Sequence, residues 1–360
     1  MSLRPRWSAS IAAVALTALT LGGCASSPEP SSGASGSDGQ VVEHVTVATP
    51  SASPLAWLYY YIPGPLGFYE EEGLDVEIVG SVPNGNPAQA IATGTVDFAG
   101  AQLSLGLPVI ESGAADLVWL GFSDDWPFNI SVMPDSPVQK ISDLAGKRIG
   151  IRDDGDVEPA TAMLTGNGVA ANDFELVRLG QGAAVAAALV QGQVDAMYAS
   201  PLNEGFVEAQ TGTAVRRLPS GEFERFVSSG FMTPRDEVDT GIRVARAVAK
   251  AWVWAQENLE SAVDLLASIQ PEAVPDKAQA LATMQVGIVP ALPALAAEWA
   301  VDPDVLDAQI QVVSPGSSLR AADIVDDDAR AKVWAFDVAA LRLAARDGDI
   351  EAAHGLNDES

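Results

Sequence analysis

The chain has 360 residues, with 48 acidic side chains against 20 basic ones, a formal charge of −28 and a pI near 4.1. That balance argues against nucleic-acid partners and against adsorption to anionic lipid. A single cysteine and two histidines leave little material for disulfides, thiolate chemistry or a His-ligated metal site.

The first residues read as a processing segment. Arg4 and Arg6 give a positive start, and Ile11 to Leu21 is an uncharged apolar run too short to span a bilayer comfortably. Leu21-Gly22-Gly23-Cys24 then matches the bacterial lipobox, so residues 1–23 are expected to be a lipoprotein signal peptide. Cys24 becomes the lipidated residue and the membrane anchor of an extracytoplasmic protein. Residues 25–40 are Ser, Gly and Pro with almost nothing to bury, a flexible leash spanning roughly 20–24 Å.

From Val45 onward short strands and helices alternate, which predicts an α/β protein with mostly parallel sheets. Strands are expected at 45–48, 74–78, 96–99 and 117–122. Between them come a helix from about Pro65 closing on Gly73, one begun by Asn86-Pro87 and ended by Gly94, and one over 103–111. After Pro134–Pro137 the pattern restarts, with strands at 147–151, 175–179 and 194–198 and helices at 158–164 and 183–191. The last third reads as helices near 241–258, 276–288, 302–311 and 329–346. Residues 92–99 and 190–196 share a turn from helix through Gly into a Val-Asp strand, as two lobes of one design would.

Several chemistries lack their residues. His44 abuts the leash and His354 sits in a polar tail, so neither can serve a Ser-His-Asp nucleophile or a zinc site inside the fold. Gly180-Gln181-Gly182 is a partial nucleotide fingerprint whose third glycine position holds Val185, and no GK[ST] occurs. Adjacent acids such as Asp124-Asp125 and Asp153-Asp154 keep a carboxylate-pair hydrolase open without positive support. No cofactor or metal is expected.

Four phrases carry a family resemblance: Gly67 to Ile78 (GFYEEEGLDVEI), Ala92 to Phe98, Ile141 to Gly150 (ISDLAGKRIG) and Gly192 to Ala196. Together, in this order over about 45–215, they resemble type II periplasmic solute-binding proteins. The group is the one handling nitrate, alkanesulfonates, taurine and thiamine-pyrimidine precursors. The resemblance implies two α/β lobes joined by two hinge strands, lobe 1 from 41–135 plus 231–360 and lobe 2 from 136–230. It also implies extra C-terminal helices packed mostly on lobe 1. Such a protein is a non-enzymatic monomer that closes on a small solute and delivers it to the permease and ATPase subunits of an ABC importer. An enzymatic branch, the fungal pyrimidine synthase, uses its own histidine and a CCCFC motif; this chain has neither inside the fold.

In open α/β sheets the ligand lies beyond the C-terminal strand ends. The matching loops pick out Ser53, Gln102, Asp124, Asp156 and Ser200 by position, with Trp57, Trp126 and Tyr198 available for stacking. Those loops carry many acids, Glu204 among them, against Arg152 alone, and Ser200 to Glu204 resembles the "NHE" stretch of pyrimidine-precursor binders without its histidine. The expected solute is a neutral or cationic heteroaromatic, such as an aminopyrimidine vitamin precursor. A sulfonate, nitrate or an aromatic carboxylate read by Arg152 is the alternative.

Overall fold

The computed structural model describes residues 42–82, 85–122, 128–153, 156–180, 183–227, 229–287 and 299–358. Cys24 and the signal and leash segments lie outside these residues. Among the described residues ten strands build two five-stranded sheets. They are β1 Glu43–Ala48, β2 Leu74–Val79, β3 Phe98–Gln102, β4 Leu117–Phe122, β5 Asn129–Val132, β6 Lys147–Ile151, β7 Phe174–Arg178, β8 Ala196–Ala199, β9 Arg216–Arg217 and β10 Ser229–Pro234. The first sheet runs β2-β1-β3-β10-β4 and the second β7-β6-β8-β5-β9. Each has a parallel triplet, then one antiparallel strand arriving from the other lobe, then a last strand.

This sheet membership moves two boundaries; Ser229 and Gly230, expected in lobe 2, pair with Gln102 and Ala101 in the first sheet. Asn129–Val132, which the sequence leaves in lobe 1 before residue 136, pairs with β8 and β9 and belongs to the second sheet. Four residues of NISV are too few to announce a strand without their partners.

Local chemistry accounts for the elements flanking the strand ends. Asn86 caps the helix Pro87–Ala92 by accepting the N–H of Gln89, and Gly73 and Gly94 take the left-handed φ that ends the preceding turns. In lobe 1 the helix Val238–Glu257 buries Trp252, Trp254, Val244 and Val248 beneath the sheet, beside Tyr59, Tyr60 and Phe231. β4 is apolar and buried along its whole length. Its outer edge is closed by Val325, which bridges to Trp119, and by Asp326, whose N–H donates to the Trp119 carbonyl.

The C-terminal helices do more than cover lobe 1. Helix Lys277–Gly287 packs along Pro201–Thr211 of lobe 2 as well as on Leu259–Ile269 of lobe 1. Helix Pro303–Val313 touches Leu103–Glu111 of lobe 1 and Val157–Gly166 of lobe 2. The run read as one helix over 329–346 is two, Asp327–Val333 and Val338–Asp347. They are separated where Trp334 stacks on Phe336 and Asp337 caps the second by accepting from Ala340 N–H. The tail then docks on lobe 1: Gly355 N–H and His354 reach Glu71, and Asn357 donates to Glu72. Among the described residues no helix is long and apolar enough to cross a membrane.

Candidate functional site

Topology brings the two sets of strand ends together. β4 ends at Phe122, and β5 begins at Asn129 opposite Ala199, the last residue of β8. β10 begins at Ser229 opposite Gln102, the last residue of β3, after the chain has left β9. Both crossovers therefore join the C-terminal edges of the parallel strands. The step from Phe122 to Phe128 can reach roughly 22 Å at most. The loops after β1, β3, β6 and β8 thus lie at the sheet edges that the crossovers join, and the space between those edges is the candidate cleft.

On the lobe 1 side, Thr49 donates to the Ser51 carbonyl at 2.7 Å and Trp57 Nε1 donates to Ser51 Oγ at 2.8 Å. Ser53 Oγ accepts the N–H of Ala56 at 3.4 Å. Trp57 is half-buried and stands edge-on to Tyr59 and Tyr60, at 5.9 and 6.5 Å between ring centres. Gln102, at the end of β3, is also half-buried, and its amide makes no hydrogen bond among the described residues.

On the lobe 2 side the polar groups hold one another. Asp156 opens the helix Val157–Gly166 and accepts from three donors of Arg152: the backbone N–H at 2.9 Å, Nε at 2.9 Å and Nη2 at 2.5 Å. Burial pulls the Arg152 pKa down, but the hydrogen bonds and charge of Asp156 outweigh it, so the value stays above the ordinary one. The guanidinium lies 4.4 Å above the Phe128 ring, which stacks on Tyr198 at 5.4 Å. Ser200 and Asn203 share hydrogen bonds at the start of helix Pro201–Thr211, so the loop expected to run to Glu204 is already helical from Pro201.

Glu204 does not offer its charge to the cleft. It is buried, accepts from Ser131 at 2.6 Å, and takes the Arg217 fork at 2.8 and 2.5 Å. The cause is register: β5 and β9 place Ser131 opposite Arg217, directly under the first turn of that helix. The acidity counted along the loops is thus reduced, since Asp156 and Glu204 each meet an arginine. Aromatic side chains are redistributed as well. Tyr198, expected to be available for stacking, is buried in the lobe 2 core against Phe128, whereas Trp57 is half-buried; Tyr59, Tyr60 and Phe122, near the same strand ends, are buried as well. Asp124 and Trp126 lie outside the described residues. Arg217 and Ser131 carry no sequence signal, because their meeting with Glu204 depends on antiparallel register. Among the described residues no cluster of three His, Cys, Asp or Glu side chains could hold a metal ion.

The chain matches the family model described as NMT1/THI5 like over residues 57–262, more than half its length, and belongs to that family. No curated protein matches it. Among solved structures, the periplasmic aliphatic sulphonate binding protein SsuA from Escherichia coli is similar at 20% identity and a TM-score of 0.57, covering 75% of this chain and 85% of that one. The alkanesulfonate-binding protein SsuA from Xanthomonas axonopodis pv. citri, bound to MOPS, gives 19% identity and 0.56, covering 79% and 98%. The ligand binding component of an ABC-type import system from Staphylococcus aureus gives 10% and 0.52, covering 81% and 99%. The shared architecture is the type II periplasmic-binding-protein fold.

Proposed function

We propose that this chain is the extracytoplasmic solute-binding lipoprotein of an ABC importer, anchored through Cys24 and working without turnover. The observation that carries this reading is the pair of like-ordered sheets whose C-terminal edges are joined by both crossovers. Such an arrangement encloses a small molecule when the lobes approach, and it positions hydroxyl, amide and aromatic groups on the walls. The names of the similar structures point the same way.

The solute that fits best is a flat heteroaromatic. Trp57 offers a half-buried ring, Ser51 and Ser53 offer hydroxyls, and the Gln102 amide offers a donor and an acceptor to a ring edge. A sulfonate or aromatic carboxylate is the second reading, favoured by two relatives named for sulfonates. In this chain the cation that would meet it, Arg152, is already held by Asp156. A hydrolase would need a free carboxylate pair; Asp156 and Glu204 are tied in ion pairs, and Asp124, Asp125 and Asp154 lie outside the described residues.

A thermal-shift screen of the mature chain against aminopyrimidines, flavins, sulfonates, nitrate and aromatic acids tests the reading. A solute at 100 times its dissociation constant adds about 2.7 kcal/mol of stability. Aminopyrimidines or flavins are expected to raise the melting temperature, and Trp57→Ala to remove most of that rise. A shift with sulfonates alone would select the second reading, and no shift with any class would end the importer reading. Cys24→Ser is expected to move the protein from the membrane fraction to the soluble one.

A further inference from the structure

Phe226 and Val227 are neighbours in the chain but are buried in different lobes. Phe226 joins the lobe 2 core with Ile130 and Phe223, and Val227 joins the lobe 1 core with Trp119 and Met232. The return crossover therefore changes lobe within a single residue step. At that step one side chain takes both backbone groups of Val227. The Val227 N–H donates to Gln309 Oε1 at 2.9 Å, and Gln309 Nε2 donates to the Val227 carbonyl at 2.6 Å. Gln309 is completely buried, so its amide plays the part of a neighbouring strand for this one residue.

The helix that carries Gln309 is fixed to both sides. Leu306 and Ile310 belong to the lobe 1 core and Val305 to the lobe 2 core. It touches the helices Leu103–Glu111 and Val157–Gly166, which begin at the cleft directly after Gln102 and Asp156. Helix Lys277–Gly287 makes a second bridge. Thr283 and Met284 are buried there, and the helix lies between Leu259–Ile269 of lobe 1 and Pro201–Thr211, which begins at the cleft after Ser200. Three helices that start at the cleft are thus gripped from outside it.

We propose that these two C-terminal helices form an external brace that sets the resting separation of the cleft walls, with Gln309 as the positioning residue that pins the return crossover. That crossover is then a fixed pivot and not a free hinge strand. Gln309 touches no solute in this scheme; it acts through the angle between the lobes, whatever solute is bound.

Spin labels on exposed positions of each lobe, through Ser112→Cys and Gln210→Cys in a Cys24→Ser background, report the interlobe distance without any ligand. The expected result is one narrow distance distribution. Gln309→Met should widen it about twofold while far-UV circular dichroism is unchanged, with the Val227 amide exchanging about ten- to a hundred-fold faster. Gln311→Met, on the exposed face of the same helix, should change neither. Faster exchange at an unchanged width would reduce Gln309 to local satisfaction of Val227 and overturn the proposal. A broad distribution before any substitution would overturn it too. If Gln309→Met does not fold, Gln309→Asn, whose shorter arm cannot span both Val227 groups, carries the same test.

Discussion

Lobe 1 and lobe 2 lay out five strands in the same order, yet different forces hold their cleft edges. After β1 the lobe 1 edge rests on rings: Trp57 leans on Tyr59 and Tyr60, and Tyr59 stands edge-on to Trp252 at 4.3 Å. After β6 and β8 the lobe 2 edge rests on charge-assisted hydrogen bonds, Arg152 with Asp156 and Arg217 with Glu204. Lobe 1 has buried ion pairs as well, Lys250 with Glu71 and Arg246 with Glu72, but they lie beside the start of β2, at the opposite edge from the cleft. The difference shows that charges counted along cleft loops do not measure the field a solute meets. A charge that closes on its own neighbour contributes rigidity and little potential.

That contrast can be broken most forcefully at Trp252. Trp252→Ala removes a fully buried ring from lobe 1 and is expected to cost about 3–5 kcal/mol by urea denaturation. A cost below about 1 kcal/mol would mean that rings are not what holds this lobe. On the other side, Glu204→Gln leaves Arg217 and Ser131 facing a neutral amide. Because Arg217 is half-exposed and water shares its charge, the expected loss is about 1–2 kcal/mol. No loss in the same measurement would leave the lobe 2 clamp without energetic weight.

Tyr69 sharpens the comparison through pH. Burial, helped by Tyr60, raises the pKa of its phenol well above the ordinary value, so the native state keeps this proton longer than the unfolded chain does. The stability tied to it is complete below about pH 10 and falls as pH rises from there toward the folded value. Tyr69→Phe should cost about 1 kcal/mol at neutral pH, through the lost hydrogen bond to the Tyr60 carbonyl, and should flatten the alkaline decline. A steeper decline would contradict the assignment. The smallest effect is expected at Asn86→Ala, where losing the cap of Pro87–Ala92 should cost about 1 kcal/mol or less in a thermal melt.

Elements whose signals are local are legible in the sequence. The helix Leu103–Glu111 and the strands Leu117–Phe122 and Lys147–Ile151 lie where periodicity places them, and Gly73 and Gly94 end their turns with positive φ. The two-lobe architecture was legible through the resemblance. What escaped depends on distant partners: β5 needs β8 and β9, and the break at Trp334 needs Phe336 and the returning tail. Helix Leu259–Ile269 is a further element absent from the sequence expectation: it abuts the helix ending at Glu257, with Asn258 capping its start by accepting from Ser261 N–H. At the site, the positions of Ser53, Gln102, Arg152, Asp156 and Ser200 after their strands could be read from loop order. The pairing of Glu204 with Arg217 could not, because a fork between residues 13 apart forms only once two strands have chosen their register.

The docked tail has a consequence for the order of assembly. The strands of lobe 2 fall in one continuous stretch from β5 to β9, whereas lobe 1 joins residues 284 and 285 positions apart, Glu71 with Gly355 and Glu72 with Asn357. Contacts separated by so many residues close slowly. The strands of lobe 2 can therefore pair while lobe 1 still lacks the contacts that Glu71 and Glu72 make with residues 354–357.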